Sequence, residues 1–457
     1  MMVWIITHIE IVGIILVTLL VAFVILQQRR TPQSTAAWVL FIVLVPYIAV
    51  PLFLGLGFRK QSARYEPVRF GDLGTDADAK TPAHPLDETF QHYGLPAAAS
   101  GQSLDLFTTP DAAYSALMEL INSAGASIDA VFYIVANDKV GNAFVDALTA
   151  RAAAGVKIRL LMDRYGTLRS PHKALKRLKK AGGEVRFFSS LLQLPGSGRL
   201  NLRNHRKMVI ADNARVFAGG MNIADHYLSM TPSDASWADL SFVLQGKSAR
   251  GFSDVFRSDW EVASGTSLPM TEVGVPGPPG DAVVQLVPSG PDIVEDPLHD
   301  GLVRAVHMAE KRIWIATPYF IPTEPLGNAL RIAAHRGVDL RILVPAKSNQ
   351  KLADFARGAY LREMHAAGAK LLYYTSGMMH GKAALIDDLA VVGSANFDVR
   401  SMLLNFEVML FVYDPASVDS LASWFEECSQ EAEVAHPHAG LPRRLAEGVF
   451  RLGAPIL

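Results

Sequence analysis

One stretch of this chain occurs twice, and that repetition limits its possible folds more than any other feature. "RNHRKMVIADNARVFAGGMN" (Arg203 to Asn222) and "HGKAALIDDLAVVGSAN" (His380 to Asn396) both read His-x-Lys-x4-Asp, then end in a glycine-led turn closed by asparagine. The residues are His205, Lys207, Asp212 and Asn222 in the first copy, and His380, Lys382, Asp387 and Asn396 in the second. One such match can arise from background residue usage; two with the same ending are far rarer. Side chains two apart on a strand share a face, so His205 and Lys207 point one way while Arg206 and Met208 point the other. Asp212-Asn213 has turn chemistry, "ARVFA" supplies a return strand, and Gly219-Gly220 lets the backbone approach a neighbour closely.

The surroundings repeat as well. "SIDAVFYIV" reads as a buried strand, "VGNAFVDALTARAAAG" as an amphipathic helix ending at Gly155, and "VKIRLLMD" as the next strand. "KRIWIATPYFI", "PLGNALRIAAHRG" and "VDLRILVP" follow in the same order, with Gly337-Val338 matching Gly155-Val156. Each half then runs through a further helix to its motif. Strands alternating with helices predict an α/β sandwich with a largely parallel core. The proline and glycine of "SLPMTEVGVPGPPGD" separate the halves. The expected organisation is a membrane segment over 1–60, a linker over 61–100, a first repeat over 101–266, a Pro/Gly linker over 267–281, a second repeat over 282–430 and a tail over 431–457.

Half of the 457 residues are hydrophobic and only 19% are charged, and the N-terminus accounts for the excess. Val3 to Leu26 holds one charge, Glu10, and Ala36 to Phe58 holds none. At about 1.5 Å per helical residue, the second stretch covers the ~30 Å hydrocarbon core. "QQRRTPQST" between them suits a tight hairpin. The first stretch lacks the basic n-region and small-residue cleavage site of a signal peptide, and another span follows at once. Arg59, Lys60, Arg64 and Arg69 follow the second span, against Arg29 and Arg30 in the loop, so the positive-inside rule leans toward a cytoplasmic large domain. The net charge of -1 argues against nucleic acid, whose binders usually show a basic domain or stripe. The single cysteine, Cys428, excludes an internal disulfide or a Cys-based zinc cluster and reads as a buried small hydrophobe.

The paired motifs hold what phosphodiester chemistry without metal or cofactor needs. A neutral imidazole can attack phosphorus and form a phosphoenzyme, while a second, protonated one serves the departing alkoxide. Two lysines and the asparagines Asn222 and Asn396 can stabilise the non-bridging oxygens. Two copies are required because attack and departure take opposite sides of phosphorus. A carboxylate that fixes each histidine's tautomer is also expected, and Asp239 in "SWADLSF" and Glu407 in "LNFEVML" are the candidates. Asp212 and Asp387, at turns, should brace the catalytic set rather than touch phosphorus.

These motifs, with the membrane hairpin, "RNHRKMVIAD", "TPYFIP" and "NFDVRSMLLNFEV", resemble the phospholipase D superfamily and, within it, the bacterial cardiolipin synthases. The resemblance runs from the second apolar span to about Glu427. It implies two similar α/β sandwich halves packed as a pseudo-dimer behind a two-helix transmembrane hairpin, in the bacterial inner membrane. It also implies a phospholipid substrate. One phosphatidylglycerol would lose glycerol on forming a phosphatidyl-histidine, and a second would attack through its headgroup hydroxyl to give cardiolipin. By the same analogy His205 is the nucleophile and His380 the general acid. Three departures stand out: Gly219-Gly220 where the family often has glycine-serine, one residue fewer between Asp387 and Gly393, and an insertion, "SMTPSDAS", before Asp239.

The residues alone leave open a hydrolase, with water resolving the phosphohistidine, and a nuclease-type phosphodiesterase. The leucine-rich "SSLLQLPGSGRLNLRNHRK" either meets lipid while Arg199, Arg203 and Arg206 meet phosphates, or is core with a solvated basic face. "LKRLKKAGG" reads as an exposed helix end. Tyr133 and Tyr319 close equivalent strands and either line the site or pack in the core. His8, His226, His307 and His365 lack metal-ligand spacing and read as structural or surface residues.

Overall fold

The computed structural model describes residues 2–28, 32–57, 65–71, 84–166, 169–188, 202–231, 236–270 and 280–452. The chain divides into two compact units, Met1–Gln61 with Leu191–Leu202, and Ser62–Ser190 with Arg203–Leu457. Residues 189–201 of the leucine-rich stretch, 232–235 of the insertion, 271–279 of the Pro/Gly linker and the basic residues Arg29, Arg30, Arg59, Lys60 and Arg64 lie outside the described residues.

The first unit holds α1 (Met2–Gln27), α2 (Pro32–Leu44) and α3 (Pro46–Leu56). Within α1, His8–Gln27 is long and apolar enough to cross a membrane, with a mean hydropathy of 3.0. The second expected span is not one continuous helix. Val45 leaves helical geometry at φ -139° and ψ 63°, because Pro46 has no N–H to donate and crowds the residue before it. Val21, Ile25, Ile42, Ala49 and Phe53 form a small buried core, with Trp38 edge-on to Phe53 at 5.3 Å. Ile9, Leu16, Leu20 and Tyr47 remain exposed.

The second unit begins with α4 (Pro85–His92), β1 (Ala99–Phe107), α5 (Pro110–Ser123), β2 (Ser127–Phe132), α6 (Lys139–Ala153), β3 (Lys157–Met162), α7 (His172–Lys180) and β4 (Glu184–Phe187). The first motif hairpin follows as β5 (Met208–Ala211) and β6 (Arg215–Gly219), then β7 (Ser241–Gln245) and α8 (Ala249–Ser264). The second half repeats this order with β8 (Ala282–Ser289), α9 (Pro297–Met308), β9 (Arg312–Ala316), α10 (Glu324–His335), β10 (Asp339–Pro345), α11 (Lys351–Ala366) and β11 (Lys370–Tyr374). Its motif hairpin is β12 (Ala383–Ile386) and β13 (Leu389–Gly393). It ends with α12 (Val399–Leu403), β14 (Glu407–Val412), α13 (Pro415–Gln430), β15 (Ala432–Val434) and α14 (Leu441–Leu452).

All these strands belong to one sheet, ordered β15-β11-β10-β9-β12-β13-β14-β8-β1-β7-β6-β5-β2-β3-β4. Read outward from the β8–β1 seam, both sides give the same succession, so the duplication in sequence is a duplication in space. The core is less parallel than expected. In the first repeat only β2–β3–β4 run parallel, while β5, β6, β7 and β1 are antiparallel. The His-Lys-Asp stretch is a hairpin, and a hairpin can join only antiparallel strands. Gly155 and Gly337 do match as junctions. With φ of 90° and 87° they adopt the left-handed turn that carries α6 into β3 and α10 into β10.

Two boundaries move. The stretch read as a linker over 61–100 contains α4, whose Leu86 and Phe90, one helical turn apart, are fully buried in the second half's core; Phe90 meets Phe411 edge-on at 4.8 Å. The tail after residue 430 contributes β15, paired antiparallel to β11, and α14, whose buried Glu447 accepts from Arg362 and Arg443. Cys428 is buried, and its thiol is pushed up to about 12 by that burial.

Candidate active site

Each motif's histidine and lysine lie just ahead of the hairpin strand, in extended chain that is stitched to the other repeat. The amide of His205 donates to the Phe406 carbonyl at 2.9 Å, and the Phe406 amide donates to Arg203 at 3.0 Å. In the mirror-related place, His380 donates to the Ala238 carbonyl at 2.7 Å and Ala238 donates to Met378 at 2.9 Å. These parallel bridges, Asn204 with Phe406 and Ala238 with Met379, put the next residue of each partner strand beside the imidazole. Those next residues are Glu407 and Asp239.

The carboxylates are therefore crossed. Nδ1 of His380, in the second repeat, lies 2.6 Å from Oδ2 of Asp239 in the first. Nδ1 of His205, in the first repeat, lies 3.1 Å from Oε1 of Glu407 in the second, close enough to pair but outside straight hydrogen-bond geometry. Both carboxylates are fully buried. Glu407 also accepts from the Ser394 hydroxyl at 2.6 Å, and Asp239 accepts from the Leu240 amide at 2.8 Å. The glycine at 220 follows from this packing, since a Cβ there would lie 2.2 Å from Asp239 Oδ1. The position that holds Ser394 in one copy must be bare in the other.

Both lysines fold back onto their own motif. Nζ of Lys207 donates to the His205 carbonyl at 2.6 Å, and Nζ of Lys382 donates to the His380 carbonyl at 2.5 Å while lying 2.7 Å from its Nδ1. Burial pushes Lys207 down to about 7 and Lys382 down to about 8. Burial and the neighbouring lysines hold both imidazoles below the ordinary histidine value, His380 well below it. Burial pushes Asp239 up to about 6. Burial also opposes ionisation of Glu407, but its neighbour His205, with Lys207 and Ser394, outweighs it and holds Glu407 below its usual value. Buried basic groups whose charge is disfavoured in this way gain from an anion placed beside them.

The two motif aspartates are elsewhere. Asp212 accepts from the amides of Gly125, Ala126 and Ser127 at 2.7–2.9 Å, and Asp387 from those of Glu310, Lys311 and Arg312 at 2.8–2.9 Å. Each sits at the far end of its hairpin strand, roughly 16 Å of extended chain from the lysine. They tie the hairpin to the loop that opens β2 or β9. The shorter second hairpin shows here as a two-residue turn, Ile386 pairing Leu389, against three residues between Ala211 and Arg215.

Asn222 accepts from the Ile134 amide at 3.1 Å, and Asn396 donates to Asp398 at 3.0 Å. Tyr133 lines the site, its ring 4.8 Å from that of His205. Tyr319 packs with Ile321 and Ala356 and turns its hydroxyl to Asn349. Arg206 is neither a lipid-facing nor a solvated residue. It is fully buried, paired with Asp259 at 2.6 Å and Asp292 at 3.0 Å, and donates to the carbonyls of Ser289 and Glu407. Strand alternation had turned it away from the lysines, and the space it entered is the seam between the repeats. Arg203 lies over the Tyr165 ring at 3.9 Å.

Three residues of the surroundings carried no motif signal: His226, Tyr227 and Trp237. Tyr227 and Trp237 each place a ring 5.0 Å from His380, and His226 lies 4.4 Å from both of them. His226, read from sequence as structural or surface, also lines a cavity of about 500 Å³ with Lys139, Asp225 and Met230. Among the described residues, no group of three or more His, Cys, Asp or Glu side chains is arranged to hold a metal ion.

A duplicated α/β unit whose two His-Lys motifs each face a carboxylate of the other copy defines a phospholipase D-like fold and site. The family model described as "Cardiolipin synthase, PLD-like domain" matches residues 117–260 and 302–429. The chain is 32% identical to cardiolipin synthase 1 of Bacillus anthracis over 96% of its own length and 92% of that protein's. It is 34% identical to the major cardiolipin synthase ClsA of Bacillus subtilis, over 97% and 98%. The crystal structure of a phosphatidylserine synthase from Haemophilus influenzae superposes with a TM-score of 0.61 at 14% identity, covering 82% of this chain and 99% of that one, a likeness of fold. The chain belongs to the family of PLD-like cardiolipin synthases.

Proposed function

We propose that this chain makes cardiolipin by transferring a phosphatidyl group from one phosphatidylglycerol to another. The observation that carries the reading is the crossed pairing, His205 with Glu407 and His380 with Asp239, which supports one site made by both repeats. With Nδ1 turned to its carboxylate, each imidazole keeps Nε2 for chemistry. Nε2 of His205 attacks phosphorus while His380 gives a proton to the departing glycerol. The resulting phosphatidyl-His205 is resolved by the headgroup hydroxyl of the second lipid, whose proton passes to His380. His205 is the better nucleophile because its side chain is 18% exposed against 7% for His380. Lys207 and Lys382, whose burial favours loss of charge, regain it beside the phosphodiester anion and offset charge on the non-bridging oxygens, together with Asn222 and Asn396.

The membrane side of the reading rests on α1 and the apolar stretch after it. The protein would sit in the bacterial inner membrane through both, with the catalytic unit on the cytoplasmic side by the positive-inside rule. The test is purified full-length protein in detergent micelles of phosphatidylglycerol, followed by mass spectrometry. Cardiolipin and free glycerol in equal amounts are expected, and both vanish in His205→Ala. Phosphatidic acid as the sole lipid product would replace the transferase by a hydrolase.

A further inference from the structure

Duplication makes the two halves of the site alike, so whatever breaks the likeness assigns the two histidines their separate tasks. Between Asn222 and Asp239 the first repeat carries "IADHYLSMTPSDASWA", whereas between Asn396 and Glu407 the second carries only "FDVRSMLLNF". The described part of the longer segment closes over His380. Tyr227 sets its hydroxyl oxygen 3.3 Å from Nε2, and Trp237 packs against the ring and against Tyr227 at 4.7 Å.

The polarity of these contacts can be followed atom by atom. Asn222 spends its carbonyl oxygen on the Ile134 amide, so the group it can offer Tyr227 is its amide nitrogen, a donor. A tyrosine hydroxyl that donates along its 3.3 Å contact meets the lone pair on Nε2 of His380. Asp239 Oδ2 faces Nδ1 at the other side of the ring, 2.6 Å away, where a carboxylate accepts. A proton on Nδ1, facing Asp239, leaves on Nε2 the lone pair that a base needs; Lys382 Nζ lies beside the same ring, 2.7 Å from Nδ1 and 3.3 Å from Nε2. Burial keeps the Tyr227 hydroxyl protonated, its ionisation pushed far above the ordinary range. At 3.3 Å the hydroxyl contact is long for an O–H···N bond, so an incoming alcohol can replace it.

We propose that Tyr227 is the positioning residue that makes His380, and not His205, the base that activates the acceptor lipid's hydroxyl. The inference rests on the transferase reading above and names which residue divides its labour. In the step concerned, the acceptor's O–H proton passes to Nε2 of His380. The acceptor oxygen bonds phosphorus as the bond from phosphorus to Nε2 of His205 breaks, its electron pair returning to the His205 ring. The proton gained by His380 leaves with the glycerol of the next donor.

The experiment compares full-length wild type, Tyr227→Phe and Trp237→Phe on the p-nitrophenyl ester of phosphatidic acid, with phosphatidylglycerol as acceptor. Nitrophenolate leaves without a proton, so formation of phosphatidyl-His205 does not call on His380, whereas its resolution does. In Tyr227→Phe the nitrophenolate burst should keep its amplitude and stay within about twofold in rate, while steady-state turnover falls about tenfold, a fraction of what general base catalysis supplies. Trp237→Phe should show the same split with a smaller loss, so a folding failure of one variant does not leave the question open. Burst and turnover falling by the same factor in both variants, or neither changing, overturns the proposal. Wild type that releases nitrophenolate but yields only phosphatidic acid sinks the transferase reading, and the burst-against-turnover split still tests Tyr227 with water as acceptor.

Discussion

Replacing Asp239 with asparagine separates crossed pairing from the alternative in which each carboxylate serves its own repeat. The 2.6 Å contact between Asp239 and His380 is buried at both ends, so solvent does little to screen it. Asp239, pushed up to about 6, is still mostly ionised at neutral pH. A hydrogen bond to a charged group is worth about 1.5–3 kcal/mol, and at ~1.4 kcal/mol per tenfold the substitution should lower kcat by about 10- to 150-fold. The upper end is expected, because an asparagine amide can donate to Nδ1 and force the proton onto Nε2, the wrong tautomer for a base. The assay is cardiolipin formation by the reconstituted chain, read beside the nitrophenolate burst. Asp239→Asn should spare the burst and slow turnover, since it acts through His380. Glu407→Gln should slow the burst itself, since it acts through His205. If the two signatures are exchanged, each carboxylate serves the histidine of its own repeat and the crossed geometry is wrong.

Arg206→Met strands Asp259 and Asp292 as buried unpaired charges and should cost about 3–5 kcal/mol, read as a fall in the thermal unfolding midpoint; an unchanged midpoint contradicts the buried cluster. Gly220→Ser forces a Cβ into the place of Asp239 Oδ1 and should lower kcat about ten- to a hundredfold with little loss of stability, measured by turnover and melting on one preparation. The kcat/KM profile should be bell-shaped. Protonation of Asp239 below about pH 6 frees His380, and loss of charge from Lys207 above about 7 and Lys382 above about 8 removes the anion's partners, while Glu407 stays ionised and Tyr227 stays protonated throughout. A flat profile between pH 5 and 9 refutes it. Asp212→Asn should weaken the amide bonds that close the loop before β2, at about 1–3 kcal/mol of stability, with kcat per folded molecule within about twofold of wild type. Since the folded state holds Asp212 below its usual value, its contribution is present above the unfolded pKa and lost as the pH falls through the folded one.

Local rules read this chain well wherever the determining contacts are local. The period of β2–α6–β3, its copy in β9–α10–β10, and the glycine junctions at Gly155 and Gly337 all follow from patterns within a dozen residues. The turn chemistry of Asp212 and Asp387 placed both at hairpin ends, and their three amide donors explain why an aspartate closes the motif. What remained illegible depends on pairing across the repeats. Leu86 and Phe90 look like polar linker to a window that ends at residue 100, because the core they enter is built two hundred residues later. Arg206 shows only its charge in sequence, and its partners Asp259 and Asp292 bear no spacing that marks them. The break at Val45 was written in Pro46, but composition alone counts that stretch as one span.

The crossed pairing leaves the histidine of each repeat without its carboxylate unless the other repeat is present. The extended chain before β5 finds its hydrogen-bond partner ahead of β14, and the chain before β12 finds its partner ahead of β7. Each repeat therefore supplies a histidine to a carboxylate it does not own, and the backbone bridges that do this also seal the seam between the repeats. Arg206 joins the same seam from the other face of the motif, donating to the carbonyl of Glu407 while pairing with one aspartate from each half. Folding and chemistry thus depend on the same contacts. A substitution that loosens the seam enough to be felt in unfolding should first be felt in the proton-transfer geometry, because His205 meets Glu407 only at 3.1 Å and outside straight hydrogen-bond geometry, whereas Ser394 holds the same carboxylate at 2.6 Å. In a series of seam variants of graded stability, turnover should therefore fall at temperatures where the folded fraction is still complete, and a series in which activity and folded fraction decline together would refute the coupling.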